Sequence, residues 1–346
     1  MELIDIGSMY LKEIKDYFKK VGEPSYRADQ VYGWLVKGVN TFDEMSNLPK
    51  SLREKLKSIF YIADVKIEKR LISNYDDTKK YLLKLYDNEY IESVLMKYHH
   101  GYTICISTQV GCKMGCKFCA TGKSGFLRNL TASEMLYQIK AIEKDNNIRI
   151  SNVVLMGMGE PLDNYENVIR FLKLVSSEDN LNIGMRHISL STCGIVDKIY
   201  DLAKENFQLT LSISLHAPND EIRNKIMPIN KRYNIDELLK ACKYYADKTK
   251  RRISFEYAMI SGVNDTKECA LELFYKLRGI LCHVNLIPLN STSFEDRTLE
   301  KSKDYDIKQF VEILSKKGIP VTVRRTLGED INASCGQLRR KTMEGV

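Results

Sequence analysis

The sequence predicts an α/β protein, an incomplete (β/α)6 barrel preceded by a small helical module and a β-hairpin connection. From residue 103 onwards, strand-like apolar segments alternate with amphipathic helical segments, the order typical of parallel β/α units. Residues 1–62 instead carry helical periodicity only. Residues 63–98 contain alternating polar and apolar runs separated by Asp and Asn, as in antiparallel strands joined by turns. Six β/α units fall short of the eight of a closed barrel, so we expect a barrel that is open on one side.

The N-terminal module is predicted from the spacing of its apolar residues. Leu11, Ile14 and Phe18 share one helical face, and similar patterns resume after Pro24 and after Pro49. We therefore expect three helices within residues 1–62, which form a candidate surface for docking a partner. For the connector, residues 63–98, the predicted strands are Lys79–Leu85 and Tyr90–Leu95.

The barrel is assigned to residues 99–330, and residues 331–346 form a separate C-terminal segment. The six predicted barrel strands are Thr103–Thr108, Asn152–Met156, His187–Ser191, Gln208–Leu215, Ile253–Met259 and His283–Ile287. The helical patterns between them include Ala132–Lys144, Val168–Val175, Ile235–Tyr245 and Thr266–Leu277. A last helix around Ile307 and Phe310 precedes an extended stretch, Pro320–Arg324.

The composition is that of a protein with a full hydrophobic core. The chain has 346 residues, of which 44% are hydrophobic, and this length favours one large domain with a smaller attachment. No apolar run approaches about 20 residues and the start, Met1–Asp5, does not resemble a signal peptide, so we expect no membrane segment and a cytoplasmic location. The nine cysteines are an odd number and partly clustered, which favours metal or catalytic roles in a reducing compartment over disulfides.

Positive charge is concentrated towards the C-terminus of a chain whose net charge is +8. Lys316-Lys317, Arg324-Arg325 and Arg339-Arg340-Lys341 lie on either side of Cys335. Any one pair is equally well explained as a solvated helix end or tail. Three pairs around one cysteine favour a phosphate-bearing substrate such as RNA.

Three cysteines with the spacing C-x3-C-x2-C carry the chemistry. Cys112, Cys116 and Cys119 lie on a short loop with flanking glycines, which let the backbone wrap closely around an inorganic centre. A four-iron cluster needs four ligands, so three thiolates leave one iron open to a small molecule. A zinc loop with a distant fourth ligand, or three unrelated thiols, remains the alternative interpretation of this spacing alone.

Further polar and glycine residues fall where predicted strands end. Because the chemistry of a β/α barrel gathers at the C-terminal ends of its strands, we expect these residues to converge with the cysteine loop at one mouth. Gly157 to Glu160 follow the second strand and Asn290 follows the sixth, whereas Ser191 ends the third strand and Ser214 to His216 end the fourth. Taken singly, the G-x-G-E sequence could be only a tight turn and His216 an ordinary residue at the end of a strand.

The cysteine motif resembles the signature of the radical S-adenosylmethionine (SAM) superfamily, with Phe118 before the last cysteine. Five blocks extend the resemblance to one family within it, the RlmN/Cfr family of rRNA adenine methyltransferases. These blocks are Gln109-Val110-Gly111-Cys112, Phe118 to Gly122, Gly157-Met158-Gly159-Glu160-Pro161, Ser214-Leu215-His216-Ala217-Pro218 and Cys335-Gly336-Gln337-Leu338. The resemblance covers residues 92–338 strongly and reaches back more loosely to residues 26–31 and 48–50.

The resemblance implies the cofactors and their ligands. It implies a radical SAM barrel in which Cys112, Cys116 and Cys119 hold a [4Fe-4S] cluster whose open iron binds SAM. The SAM contacts that it implies are Gly159, Glu160, Ser191, Ser214, Leu215, His216 and Asn290. A reducing electron donor of the flavodoxin or ferredoxin type would be needed.

The resemblance also implies three catalytic residues. Cys335 would carry a methyl group, Cys105 would be its partner in releasing the product, and Glu92 would accept a proton. A solvent-facing strand glutamate is the structural alternative for Glu92. The other cysteines, Cys193, Cys242, Cys269 and Cys282, are expected to be core residues.

The expected activity follows from the same resemblance. Members of the family methylate adenine in 23S rRNA and, in the RlmN branch, in tRNA as well, consuming two SAM molecules for each methyl delivered to C2. Gly159-Glu160-Pro161-Leu162 resembles the RlmN branch, whereas a Cfr-type enzyme acting on C8 is the nearest alternative. A non-enzymatic, metal-containing RNA-binding protein is the more distant one.

Overall fold

A ten-stranded mixed sheet organises the molecule, for which the computed structural model describes residues 3–290 and 299–334. The strand order is β14-β13-β12-β11-β10-β9-β6-β5-β4-β3. These strands are β3 (Val65–Ile72), β4 (Lys79–Leu85), β5 (Tyr90–Tyr98), β6 (Gly101–Cys105), β9 (Ile150–Leu155), β10 (Ile188–Thr192), β11 (Thr210–Ser214), β12 (Ile253–Met259), β13 (Cys282–Pro288) and β14 (Val321–Val323). Two small two-stranded pairs stand apart from it: β1 (Ile4–Asp5) with β2 (Phe60–Tyr61), and β7 (Gln109–Gly111) with β8 (Phe126–Asn129).

The barrel part of the sheet is parallel, as the sequence predicts. Neighbouring strands from β6 and β9 through to β14 all pair in parallel. The helices that follow the module are α4 (Ala120–Lys123), α5 (Ala132–Asn146), α6 (Tyr165–Ser176), α7 (Val196–Lys204), α8 (Asp220–Ile226), α9 (Ile235–Thr249), α10 (Lys267–Leu277) and α11 (Asp304–Lys316). The predicted extended stretch, Pro320–Arg324, contains the short seventh parallel strand, β14.

The first barrel strand lies earlier in the chain than predicted. β6 ends at Cys105, because the chain bends after Ile106, whose amide still donates to the Val154 carbonyl (3.0 Å). The segment that was expected to extend this strand to Thr108 instead leads into β7. Cys105 is therefore the last residue of its strand rather than an interior one.

The connector is a three-stranded antiparallel extension of the barrel sheet. β3 pairs with β4, β4 with β5, and β5 with β6. The predicted hairpin is present as β4 and β5, but the sequence did not reveal that both continue the same sheet. In the β5–β6 register Val94 lies opposite Cys105, and Lys80 of β4 lies opposite Val94, so these three residues share one face.

The N-terminal module consists of α1 (Leu11–Lys20), α2 (Ser25–Val36) and α3 (Lys50–Lys57), as predicted. Its buried face merges with the barrel, because Ile14 and Phe18 belong to the same hydrophobic cluster as Met135 of α5. Short 3-10 turns complete the described chain: Ile6–Ser8, Phe42–Glu44, Met185–His187, Pro228–Lys231 and Glu329–Ile331. Within the described ranges, no helix is both long and apolar enough to cross a membrane.

Candidate active site

The three-cysteine loop is closed at its base by the antiparallel pair β7 and β8. The Cys112 amide donates to the Gly125 carbonyl (2.8 Å), which joins the two ends of the loop. Gly111 has a φ of +79°, and a Cβ at this position would lie 1.9 Å from the Gly125 oxygen. The glycine that precedes the first cysteine is therefore required by the close approach of two strands.

Apolar residues of the loop attach it to the barrel mouth. Met114 and Phe118 pack against a small cluster that includes Met227 and Ala258, and the Lys117 amide donates to the Ile226 carbonyl (3.0 Å). The aromatic residue of the motif thus has a packing role. It fixes the loop over the C-terminal ends of the parallel strands.

Cys112, Cys116 and Cys119 line one cavity at this mouth. Burial raises the pKa of the Cys112 thiol to about 12 and also raises that of Cys116, so a bound cation would be needed to hold them as thiolates at neutral pH. In the described part of the chain, no three His, Cys, Asp or Glu side chains form a group that could hold a metal ion directly. A cubane cluster binds each thiolate through a different iron and does not require the sulfurs to meet at one point.

The Gly157–Glu160 turn packs against the chain itself. A Cβ at Gly159, whose φ is +104°, would lie 2.6 Å from the Gln109 side chain, and a Cβ at Gly157 would lie 2.6 Å from the Ile106 carbonyl oxygen. The sequence suggested glycine backbone lying against a ligand. Both glycines are therefore also required by the close packing of this turn against Ile106, which follows β6, and Gln109, which begins β7.

The Glu160 carboxylate is buried (3% exposed) and oriented by backbone amides. Oε1 accepts from the Leu162 amide (3.0 Å) and Oε2 from the Cys193 amide (2.7 Å). Burial raises the pKa of this carboxyl group. The side chains of Thr192 and Cys193 also hydrogen-bond to this carboxyl group, which lines the cavity of the three cysteines and offers oxygen acceptors of the kind that suit an ammonium group.

His216 is a neutral imidazole with a defined tautomer. Its Nδ1 accepts a hydrogen bond from the Ala258 amide (2.9 Å), so the ring proton resides on Nε2. Burial, with the nearby charge of Arg223, lowers the pKa of His216 to about 3. The ring meets Phe118 of the cysteine loop edge to face, with centroids 4.8 Å apart.

The predicted SAM-contact residues converge as expected, with one difference. The cavity lined by the three cysteines is also lined by Gly159, Glu160, Ser191, Ser214, His216 and Asn290. The Leu215 side chain instead lies fully buried in the main hydrophobic core. Its backbone amide donates to the Glu256 carbonyl (3.1 Å) and its own carbonyl accepts from Arg223 (3.1 Å).

Several residues of this cavity were not assigned to it from the sequence. Thr192, Cys193, Glu256 and Arg324 also line it, and the prediction that Cys193 is only a core residue was incomplete. Thr192 ends β10 and Arg324 directly follows β14, so the strand-end rule that found Ser191 would have found them. Glu256 lies inside β12, where it accepts hydrogen bonds from Ser254 and Asn285 (2.9 and 2.8 Å).

Arg223 is a further residue that the sequence did not single out. Its side chain is fully buried and donates to the carbonyls of Leu215, Cys193 and Ser214 (3.1, 2.7 and 3.2 Å). A fourth bond reaches Asn230 Oδ1 (2.9 Å). One guanidinium thus joins the ends of β10 and β11, which fixes the relative position of two strands that supply cavity residues.

A second cavity adjoins the first and contains Cys105. Asn290 and Arg324 line both cavities. Ser334, the last residue described before the C-terminus, also lines the second one. Cys335, the predicted methyl carrier, is the next residue in the chain and lies outside the described residues.

Glu92 is buried (1% exposed) rather than solvent-facing. Its carboxylate forms an ion pair with Lys80, which is also buried, at 3.0 Å. Glu92 lies two residues before Val94, which is opposite Cys105, so Glu92 and Cys105 share a face of the sheet. The solvated alternative for this glutamate is thereby excluded.

The site fits a [4Fe-4S] cluster with SAM on its open iron. Three thiols on one closed loop would supply the protein ligands. Across the same cavity lie the buried Glu160 carboxylate, the neutral His216 and the hydroxyls of Ser191 and Ser214, which suit a ligand with ammonium, carboxylate and ribose groups.

The fold and this donor set define a class, the radical SAM enzymes. The family model described as the radical SAM superfamily matches residues 106–274. The model described as the ribosomal RNA large subunit methyltransferase N-terminal domain matches residues 4–62. A solved radical SAM methyltransferase from Sphaerobacter thermophilus is 42% identical, with a TM-score of 0.92 over 98% of this chain and 100% of that one.

Curated relatives identify the family within that class. A probable dual-specificity RNA methyltransferase RlmN from Alkaliphilus oremlandii (strain OhILAs) is 54% identical over 344 residues, which cover 99% of this chain and 100% of the relative. One with the same name from Clostridium novyi (strain NT) is 55% identical over 337 residues, or 97% and 98% of the two chains. The chain belongs to the RlmN family of radical SAM RNA methyltransferases.

Proposed function

We propose that this protein methylates C2 of an adenosine in 23S rRNA and in tRNA through a methyl group carried on Cys335, consuming two SAM molecules per methyl. The observation that supports it most strongly is the pair of adjoining cavities. One is lined by the three cluster cysteines, the other by Cys105 and by Ser334, which precedes Cys335. Family membership supports RNA as the substrate.

Cys112, Cys116 and Cys119 would hold the [4Fe-4S] cluster. When bound, the cluster supplies the electron that cleaves SAM to a 5′-deoxyadenosyl radical, after reduction by a flavodoxin- or ferredoxin-type donor. Glu160 would receive the SAM ammonium, and His216 would offer its Nε2 proton as a donor. Arg223 keeps the strand ends that carry these groups in register.

A carrier cysteine is required because C2 of adenine is electron-poor and does not attack a methyl sulfonium. The Cys335 thiolate, a good nucleophile, would take the methyl group of one SAM. The 5′-deoxyadenosyl radical would take a hydrogen atom from that methyl group, and the carbon radical left on Cys335 would bond to C2. The adduct would then give up one electron, to the oxidised cluster, and the C2 proton. The Cys105 thiolate would attack the Cys335 sulfur, forming a disulfide as the carbon–sulfur bond breaks, and the released methylene carbon would take up a proton to give the methylated base.

Glu92 would take the proton that C2 loses during this release. The ion pair with Lys80 supplies a carboxylate, which is the form that accepts a proton, and the shared sheet face places it on the side of Cys105. The target adenosine must leave its stack to reach the mouth, so a looped or extruded nucleotide is the expected substrate. The N-terminal module, residues 1–62, is the proposed docking surface for RNA.

Mass spectrometry of nucleosides from RNA treated with the reconstituted protein tests the proposal. We expect 2-methyladenosine together with 5′-deoxyadenosine. 8-Methyladenosine would instead identify Cfr-type chemistry. If the reconstituted protein is colourless and makes neither product, the proposal is refuted and a non-enzymatic metal protein is indicated.

The Cys105→Ala variant tests the release step. The cluster cysteines and Cys335 are unchanged, so SAM cleavage and bonding to adenine proceed, whereas release fails. RNA should accumulate covalently attached to the protein. The crosslinked species should appear as a slowly migrating band in gel electrophoresis, and RNase digestion should shift this band towards the position of the free protein. The Cys105→Ala/Cys335→Ala double variant is the control and should form no such band. Normal turnover by Cys105→Ala would show that another group breaks the carbon–sulfur bond.

A further inference from the structure

The segment that leads to the C-terminus is bonded to a turn far away in the sequence. Ser73 Oγ donates to Asp330 Oδ1 at 2.7 Å, across 257 positions of sequence, and the Asn74 amide donates to Asp330 Oδ2 at 2.7 Å. Ser73 and Asn74 begin the turn between β3 and β4. Both oxygens of one carboxylate are therefore used to join the two segments.

A second pair of contacts lies beside the first. The Gly328 amide donates to Asp76 Oδ2 (3.0 Å), and Asp76 Oδ1 accepts from the Thr78 amide (2.8 Å) within the same turn. Gly328 has a φ of +60°, and a Cβ there would lie 2.8 Å from both Thr78 and Ala333. We call the bonds from Ser73 and Asn74 to Asp330, and from Gly328 to Asp76, the turn contact.

The turn contact is connected to the proposed reaction residues on both sides. Lys80, the second residue of β4 just after the turn, donates to the Asn332 carbonyl (3.3 Å) and pairs with Glu92. At the other end, Ser334 lines the cavity of Cys105, and its hydroxyl donates to the Leu327 carbonyl (2.8 Å). The turn contact thus fixes the chain a few residues before Cys335.

We propose that Asp330 is a positioning residue that holds the base of the Cys335 segment on the β3–β4 turn. This inference rests on the proposed function of Cys335. A tethered cysteine has a high effective concentration at both places where it must react, the methyl donor and the adenine bound near Cys105. The cluster loop and the SAM-contact residues lie elsewhere, so radical formation does not depend on this contact.

The Asp330→Ala variant removes both acceptors, and the coupling of the two SAM-dependent steps measures the effect. We expect SAM cleavage to stay within about twofold of the wild-type rate, while the ratio of 5′-deoxyadenosine to methyladenosine rises by up to about tenfold, because the cysteine is then less well positioned. Ser73→Ala removes one of the two bonds and should give an intermediate ratio. General destabilisation would lower both products together and leave the ratio unchanged.

Two neighbouring acidic residues provide matched controls. Asp77 lies in the same turn but pairs with Lys97 at 3.1 Å, with its side chain 70% exposed, and Glu329 directly precedes Asp330. Asp77→Ala and Glu329→Ala should keep the wild-type ratio. A second readout uses the iron-free protein, in which hydrogen–deuterium exchange of residues 327–334 should be faster in Asp330→Ala than in wild type and unchanged in the two controls.

Distinct outcomes separate the inference from the function on which it rests. A wild-type protein that makes no 5′-deoxyadenosine or no methyladenosine would refute the proposed function. Normal wild-type turnover with an unchanged ratio in Asp330→Ala and Ser73→Ala would refute the positioning role alone, as would an equal rise in Asp77→Ala. If Asp330→Ala does not fold, Ser73→Ala decides, because it keeps the carboxylate and its bond from Asn74.

Discussion

Arg223 and Lys140 are both buried cations, but they differ in how many hydrogen-bond acceptors offset the loss of hydration. Arg223 has four acceptors at the site, whereas Lys140 of α5 donates to the Leu35 carbonyl at 2.7 Å. That carbonyl also accepts from the Gly38 amide (3.0 Å). Burial lowers the pKa of Lys140 to about 8, so its charge costs folding free energy that its bond to the module only partly offsets.

Replacing Lys140 with Met should therefore stabilise the protein at pH 7. The folded-state pKa of about 8 lies below the ordinary value of 10.5, so at this residue the unfolded chain binds more protons between these values, and the contribution of Lys140 to stability rises with pH across that window. In Lys140→Met this rise should vanish, and the free energy of unfolding at pH 7 should increase by about 1–3 kcal/mol. Urea unfolding at pH 7 to 10 measures both effects.

Lys144→Met, at an exposed position of the same helix, is the control. It should leave both the stability and its pH dependence close to wild type. A loss of stability in Lys140→Met would mean that the hydrogen bond to Leu35 outweighs the cost of the charge.

Buried charged residues could not be predicted from the sequence, whereas residues in a motif or at a strand end could. Cys112 and His216 were found because a motif or a strand end marks them. Nothing local distinguishes Arg223 from a surface arginine, or Glu92 from a solvated strand glutamate, since their burial depends on strands brought together from distant parts of the chain.

Among the elements, the pair β7 and β8 determines the shape of the cysteine loop. The Gly111–Gly125 approach leaves no room for a side chain at residue 111. Gly125 also has a positive φ, +71°, but nothing lies within 4 Å of a Cβ placed there. Glycine is thus required at residue 111 because a Cβ would clash with the backbone, whereas at residue 125 it is favoured only by the positive φ.

The Gly111→Ala variant should lose the cluster. Its Cβ would collide with a backbone oxygen, so β7 and β8 must separate and Cys112 must move. After anaerobic reconstitution we expect bound iron to fall to less than about half of wild type, because a three-thiolate site has no spare ligand. Gly125→Ala should cost only about 1–2 kcal/mol of backbone strain and keep its iron. Equal iron content in the two variants would contradict the steric argument.

Most helices and strands could be predicted from the sequence. Helical and strand periodicity predicted the three module helices and the parallel strands with small errors at their ends. The continuation of the barrel sheet into β3–β5 was not predictable, because an alternating pattern does not state which neighbour a strand will pair with. The turn contact was not predicted either, because its partners are separated by more than 250 positions and sequence patterns report only local structure.

Across the whole molecule, one core joins the N-terminal module to the barrel. Polar contacts reinforce it: Ser133 at the start of α5 donates to Asp5 Oδ2 (2.6 Å), and Tyr137 donates to the Val39 carbonyl (2.8 Å). Arg170 of α6 pairs with Glu13 at 2.7 Å. We infer that the module folds with the barrel rather than as an independent unit.

Trp34, the single tryptophan of the chain, makes this inference measurable. It lies in α2, where its Nε1 donates to Asn47 Oδ1 (2.6 Å). In urea, the tryptophan fluorescence should therefore change with the same midpoint as the far-UV circular dichroism, which reports mainly the barrel. A fluorescence midpoint at clearly lower urea would show that the module unfolds first.

The turn contact joins residues 328 and 330 to the turn at residues 73–78, so it can form only late in translation. The turn leaves the ribosome more than 250 residues before Asp330, its partner in the turn contact. A chain interrupted before residue 328 would still contain all fourteen described strands and the three-cysteine loop, but it would lack both Asp330, the partner of the turn, and Cys335. Under the proposed mechanism, such a fragment could cleave SAM without a cysteine to carry the methyl group. Only a chain that includes Cys335 would couple radical formation to RNA modification.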